Sequence, residues 1–284
     1  MYKSLNAGMV NIKLSGFKET LALAHKHGYG AVEYDPLSLE KQGIGVSQAW
    51  DLMGNYGIII SNFGLPVSCQ TRDAFNESFP KLEKAARLAR ALGISRCCTW
   101  MASSSGEFDY AENFKRHKDM MGLCAQVLKD YDIAFGIEFI GPKQGWTGGK
   151  YPFIHTLPAM LELCDAIGTG NVGLLLDAHH CYTSGLPGGS FAPLLRSEKD
   201  IVLVHLNDDK KGVSPDDLPD SPRYYPGEPG GGANDVKAFM KALLHLGYTG
   251  PVVVEPFSEA LKTMNDNDAI AKLIAESTDS VWPE

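Results

Sequence analysis

The stretch LGYTGPVVVE, residues 246–255, reads as a helix end, a turn and a strand that stops on an acid. Gly247 can take the left-handed backbone that closes a helix, and a short turn then leads into Val252, Val253 and Val254. The same order recurs at HGYGAVEY (27–34) and at LGISRCC (92–98). A helix that ends on glycine and passes within two or three residues into an apolar strand is an αβ connection. Upstream of each glycine lies an amphipathic run. Phe17–His27 carries Phe17, Leu21 and Ala24 on one face, and Phe79–Leu92 carries Leu82, Ala85, Ala86, Leu88 and Ala89. Val236–Leu246 places Phe239, Leu243 and Leu246 together.

Working outward, eight short apolar runs alternate with such helices along the chain. They are Leu5–Met9, Ala31–Tyr34, Ile58–Phe63, Ile94–Trp100, Ile133–Phe139, Val172–Leu176, Ile201–Leu206 and Pro251–Glu255. None alternates polar with apolar residues, as expected of parallel strands covered on both faces. Eight βα units of about 35 residues predict a single-domain (β/α)8 TIM barrel over residues 1–284. A doubly wound open sheet would carry a glycine-rich first turn, and Gly8–Lys13 has none. Two segments, Gly141–Pro152 and Asn207–Asn234, are long for the pattern and follow strands, so they are expected to cover the catalytic face. The run GEPGGG (227–232) lacks the lysine of a phosphate loop and reads as a flexible turn.

The 284 residues are 44% hydrophobic and 21% charged, as in an ordinary globular protein. Lys and Arg number 26 against 34 Asp and Glu, a formal charge of −8, which disfavours nucleic acid and anionic membranes as partners. The six cysteines form no CxxC pair and are expected as buried thiols in a reducing compartment. No run reaches membrane-spanning length and Met1–Lys13 lacks a secretory apolar core, which gives a cytoplasmic expectation. A homo-oligomer is compatible with this composition.

Chemistry gathers at the ends of the last four strands. IAFGIEF ends next to Glu138, VGLLLD ends on Asp177, IVLVHL carries His205, and PVVVE ends on Glu255. Burying a carboxylate or an imidazole after an apolar run is costly unless it is paired or bound to a metal. Four consecutive barrel strands bring these four groups to one rim. Three carboxylates and one imidazole suit one divalent ion: Mn²⁺, Mg²⁺, Co²⁺ or Zn²⁺. Glu138 and Glu255 are then the expected catalytic bases, each able to bind the ion through one oxygen and keep the other free. Trp100, at the end of the fourth strand, is a candidate to stack on the apolar face of a substrate ring. His117 and His155 read as surface or packing residues, and of the neighbours His179 and His180 only one is expected to face the site.

The segments GIEF, LLLDAHH, VHLND, RYYPGE and VVVEPF resemble the xylose-isomerase-like TIM-barrel superfamily of sugar phosphate isomerases and epimerases. That superfamily holds ketose 3-epimerases, inosose isomerases and dehydratases, and endonuclease IV repair enzymes. The resemblance runs over most of the chain and is sharpest over 135–257. It implies metal ligands at Glu138, Asp177, His205 and Glu255, and substrate contacts at His180 and Arg223. The position six past the histidine ligand, basic in ketose epimerases, is Lys211 here and a further candidate substrate contact. The position six past Glu138 is Gln144, where several epimerases carry a second acid.

The expected function is that of a metal-dependent isomerase or epimerase acting on a small keto-sugar or polyol through an enediolate. A lyase that removes the same kind of proton and expels a leaving group is the alternative, of the inosose-dehydratase or 3-keto-glycoside type. DNA repair conflicts with the negative charge and the few strand-end histidines. A non-catalytic binding barrel has no use for two acids on opposite sides of one site.

Overall fold

The structure is a computed structural model that describes residues 1–14 and 16–284. Among the described residues eight parallel strands close into a barrel: β1 (Tyr2–Leu5), β2 (Ala31–Glu33), β3 (Ile59–Gly64), β4 (Arg96–Met101), β5 (Ala134–Phe139), β6 (Val172–Asp177), β7 (Ile201–Leu206) and β8 (Pro251–Val254). Each strand pairs with its sequence neighbours, and β1 closes the ring by pairing Tyr2 with Pro251. The glycines expected to end helices do so in the left-handed region, with φ of 71° at Gly28, 74° at Gly93 and 81° at Gly247.

The main difference from expectation lies in β1, which ends at Leu5, four residues before the expected Met9. Asn6 stops it: its side-chain oxygen accepts from the amides of Gly8 (3.0 Å) and Met9 (3.2 Å), turning the chain away from the sheet. Val10 and Ile12 are buried beyond that turn without being in a strand.

Two apolar layers hold the barrel. The larger lies between strands and helices, with Phe17 and Leu21 of one helix, Leu82 and Ala86 of another, and Phe239 and Leu243 of a third all buried. The smaller fills the barrel axis with Cys98, Leu175, Val202, Leu203 and Val253. Gly136 of β5 has to be a glycine there, because a Cβ would sit 2.9 Å from the Cys98 sulfur and 3.1 Å from the Val202 Cβ. The axis is therefore packed, and the site above it has a solid floor.

The two long segments fold over the end of the barrel where the strands finish. Within the first, Lys143–Thr147 forms a short helix, and Tyr151–Pro152 pairs with Ser104–Ser105 as a small antiparallel ribbon. The second returns against the barrel through a bridge between Asp208 and Tyr224, and the Arg223 amide donates to the Pro256 carbonyl at 2.8 Å. Lys143 and Asp216 join the two segments at 2.7 Å. GEPGGG is pinned rather than loose. Glu228 is buried, with one oxygen accepting from the Tyr225 amide (3.1 Å) and the other from the Ser258 hydroxyl (2.7 Å). No helix among the described residues is long and apolar enough to cross a membrane.

Candidate metal centre and active site

Strand register assembles the rim cluster. Asp177 and His205 are paired in the β6–β7 ladder, and Val253, two residues before Glu255, pairs with His205 in the β7–β8 ladder. Glu255 lies one residue past β8 yet continues its ladder, since its amide donates to the Leu206 carbonyl at 3.1 Å. Glu138, Asp177, His205 and Glu255 are all buried, and one donor atom from each lies within 4.8 Å of the others. The His205 Nδ1 stands 3.0 Å from Glu255 Oε2, 3.3 Å from Glu138 Oε1 and 4.0 Å from Asp177 Oδ2.

Neighbouring groups fix these side chains. Asp177 caps the short helix that follows it, accepting from the His180 amide at 2.9 Å, and its other oxygen accepts from Asn207 Nδ2 at 2.8 Å. Arg223 is buried against the cluster, with Nη1 at 3.0 Å from Asp177 Oδ2 and 2.8 Å from Glu255 Oε2. Its Nε donates to the Asp220 carbonyl (2.7 Å), and its Nη2 to Asp220 Oδ1 (2.9 Å) while facing His180 Nε2 at 3.2 Å. Every nitrogen of the guanidinium thus already has a partner within the chain. The structure brings Arg223 to the acids, where sequence comparison had suggested substrate oxygens.

His180 is fully buried between two donors, the Gly141 amide 3.3 Å from Nδ1 and Arg223 Nη2 3.2 Å from Nε2. Burial first, then the Arg223 charge, holds it well below the usual histidine range, so it is neutral and has one lone pair for two donors. A side chain at Gly141 would strike the His180 carbonyl, which explains the glycine there. His179 faces elsewhere: its Nδ1 pairs with Asp209, and its amide donates to Asn207 Oδ1 at 2.7 Å. His179, His180 and Asp220 also bring donor atoms within 4.8 Å of one another. Arg223 Nη2, close to both His180 and Asp220, already supplies a positive charge at that place.

The acids differ in proton affinity for identifiable reasons. Burial, more than any other influence, pushes Glu138 up to about 8, against a lowering contribution from His205. Glu255 is buried as well, but His205 and Arg223 together outweigh that and hold it at about 2. Asp177 is raised by burial, with Arg223 opposing. The buried Glu138 Oε1 has no hydrogen-bond partner, and neither has His205 Nε2. An orphaned, buried carboxylate oxygen among three acids and an imidazole is costly as it stands and suits a divalent cation.

Trp100 is the in-register partner of Glu138 on β4 and faces the barrel mouth, 56% exposed. Lys211 is not brought to the cluster: its side chain is exposed, and its amide is tied to the Gly230 carbonyl at 2.9 Å. Gln144 is exposed on the short helix of the first long segment. His155 stacks on Trp146 (centroids 4.6 Å), and His117 is buried against Phe153 (5.1 Å), so both pack as expected.

The structure adds one acid that sequence reading passed over. Glu33 ends β2, accepts from Asn62 Nδ2 at 2.8 Å, is raised first of all by burial, and also feels the charges of His205 and Glu255. Its signal was in GAVE, the same apolar run ending on an acid that marked Glu138, Asp177 and Glu255.

A model of the xylose isomerase-like TIM barrel family matches residues 21–279. The chain is 22% identical over 272 residues to an inosose isomerase of Bacillus velezensis, covering 94% of this chain and 92% of that protein. It is also 22% identical over 259 residues to a ketose 3-epimerase of Arthrobacter globiformis, covering 87% and 79%. Among solved structures, a xylose isomerase domain protein from Alicyclobacillus acidocaldarius superposes with a TM-score of 0.85 at 26% identity, covering 99% and 98%. An IOLI protein with a bound zinc atom superposes with a TM-score of 0.80 at 22% identity, covering 99% and 98%. A probable 3-DHS dehydratase from Bacillus anthracis reaches 0.72 at 17% identity, covering 98% and 99%.

Proposed function

The chain belongs to the xylose isomerase-like TIM barrel family, and on that premise we propose that it is a divalent-metal-dependent isomerase or epimerase of a small keto-sugar or polyol. One observation carries the reading: Glu138, Asp177, His205 and Glu255, from four consecutive strand ends, gather their donor atoms within 4.8 Å, with a Glu138 oxygen left unpartnered. The inosose isomerase and ketose 3-epimerase relatives support sugar chemistry, and the neighbour with a bound zinc atom supports a metal in this fold. The ion itself is Mn²⁺, Mg²⁺, Co²⁺ or Zn²⁺, the set that mixed oxygen and nitrogen donors accept. The six free cysteines fit a reducing, cytoplasmic setting.

The four cluster residues would hold the ion, which would draw charge from a carbonyl and its neighbouring hydroxyl as a proton leaves the carbon that bears that hydroxyl. Proton transfer belongs to the two glutamates. Glu138 Oε1 makes no hydrogen bond, although His205 Nδ1 stands 3.3 Å away, and burial favours holding a proton once it has taken one. Glu255 has Oε2 committed to His205 and Arg223, which leaves Oε1 for a substrate carbon. β5 and β8 approach the mouth from different sides, so removal by one glutamate and return by the other inverts the centre. Arg223 favours the ionised forms of Asp177 and Glu255 and holds both in place, and its contact with His180 keeps that ring fixed beside them.

A lyase is the second reading, favoured by the dehydratase among the similar folds. Both readings share the first step. Incubating candidate ketoses and inososes with Mn²⁺-loaded protein in heavy water tests them together. Isomerase or epimerase action puts deuterium on carbon in a rearranged product, whereas lyase action gives a dehydrated one. Unchanged exchange rates in both Glu138→Gln and Glu255→Gln would show that neither glutamate is the base.

A further inference from the structure

A cavity of about 780 Å³ opens beside the cluster, between the chain that follows β3 and the chain that follows β4. The helix Tyr110–Asp130 closes it from behind through Asn113, Arg116 and His117. Its volume is in the upper part of the range of sites that enclose drug-sized ligands, more than one sugar ring fills. Trp100 is the wall it shares with the metal centre: the indole is exposed and stands in register with Glu138. A ring held at the cluster therefore has an aromatic face next to it, with open volume beyond.

Two polar groups define what fits that volume. His117 Nδ1 lies 2.9 Å from the Asn113 carbonyl, which can only accept, so Nδ1 carries the hydrogen and Nε2 keeps its lone pair. Burial first of all holds the ring neutral, and Nε2 has no partner among the described residues. Arg116, by contrast, has both terminal nitrogens held by the chain. Its Nη1 donates to Asn113 Oδ1 (3.2 Å), its Nη2 to the carbonyls of Cys69 (2.9 Å) and Gln70, and its carbon lies 5.3 Å over the Phe108 ring. With those nitrogens held and the Glu107 carboxylate in the same lining, the Arg116 charge is largely offset within the cavity. An aromatic platform, a second aromatic ring and a lone-pair acceptor select a neutral, hydroxylated ring.

We propose that this cavity is a second-ring subsite. The substrate is a two-ring molecule whose reacting ring sits at the cluster and whose second ring, a sugar or a phenol, lies against Trp100 with a hydroxyl donating to His117 Nε2. The placement of the first ring rests on the metal-centred function proposed above.

Calorimetric titration tests this without turnover, in both chelator-treated and Mn²⁺-loaded protein. The probes are methyl β-D-glucopyranoside (one ring), phenyl β-D-glucopyranoside, 4-hydroxyphenyl β-D-glucopyranoside and cellobiose. At least one two-ring probe is expected to bind tenfold or more tighter than the one-ring probe, with cellobiose and the aryl glucosides separating a sugar from a phenol. Trp100→Ala, at an exposed position, should reduce that gain below threefold. His117→Leu should remove the advantage of 4-hydroxyphenyl over phenyl glucoside. Equal affinities for one and two rings, or a gain untouched by Trp100→Ala, overturn the subsite. Bound Mn²⁺ and carbon–deuterium exchange with no two-ring gain would sink the subsite alone. A two-ring gain with neither metal nor exchange would sink the functional reading instead.

Discussion

The two halves of the barrel rim are built on the same repeating unit and carry opposite kinds of chemistry. From β5 to β8 every strand delivers a metal-type donor, and Arg223 and Asn207 lock those donors into one charged knot. From β1 to β4 the rim and interior hold a hydroxyl pair, Ser4 with Ser61 at 2.7 Å, then Asn62, the strand-end acid Glu33 and the open face of Trp100. Cavities of about 600 Å³ and 780 Å³ lie on that side, meeting at Leu65 and Pro66. Under the proposed function the difference is a division of labour: one half would fix charge and move protons, and the other would shape what reaches it.

That contrast is easiest to break on the charged side. Glu138→Gln or Glu255→Gln should lower deuterium exchange into substrate by about 10²- to 10⁴-fold, the usual worth of a positioned acid or base. Asp177→Ala leaves Arg223 buried with one carboxylate fewer and removes a helix cap, so chemical denaturation should show a loss of about 3–5 kcal/mol. Affinity for the ion should also depend on pH. Glu138, pushed up to about 8 chiefly by burial, holds a proton in metal-free protein at neutral pH, and the ion must displace it. Against its burial, His205 is raised well above the ordinary histidine range by Glu255 and Glu138, and it must also give up a proton. Binding therefore tightens by about tenfold per pH unit for each proton released, with the Glu138 contribution ending near pH 8, as calorimetry in a pH series would record.

On the uncharged side the expected effects are smaller. Trp100→Ala should change stability by no more than about 0.5 kcal/mol, because its exposed ring supports little packing, while still changing ligand affinity. His117 contributes a pH slope. Burial lowers it to about 4, so between its ordinary value of 6.5 and 4 the unfolded chain binds a proton that the folded chain refuses. Stability falls as pH drops through that window, and His117→Gln should flatten the fall in urea titrations.

How much of this was legible follows from where each signal lies. The cluster was readable because each donor follows an unbroken apolar run, a local pattern that a barrel converts into proximity. Glu33 showed the same pattern in GAVE and was overlooked beside the later four. The role of Arg223 was not local: its guanidinium is set by the return of a long segment against Pro256, which no spacing announces. The end of β1 was misjudged because Val10 and Ile12 are apolar and buried, although a side-chain turn at Asn6 has already ended the strand. His179 and Asp209 are thirty residues apart and meet only through the fold.

The central claim is that the charged half is a metal centre. It is tested most directly by titrating chelator-treated protein with Mn²⁺, Mg²⁺, Co²⁺ and Zn²⁺ and measuring bound metal per chain. The account predicts one tightly bound ion for at least one of these metals, with binding lost in a Glu138→Ala, His205→Ala double variant that still folds. No stoichiometric binding of any of the four ions, or equal binding by that variant, would contradict it.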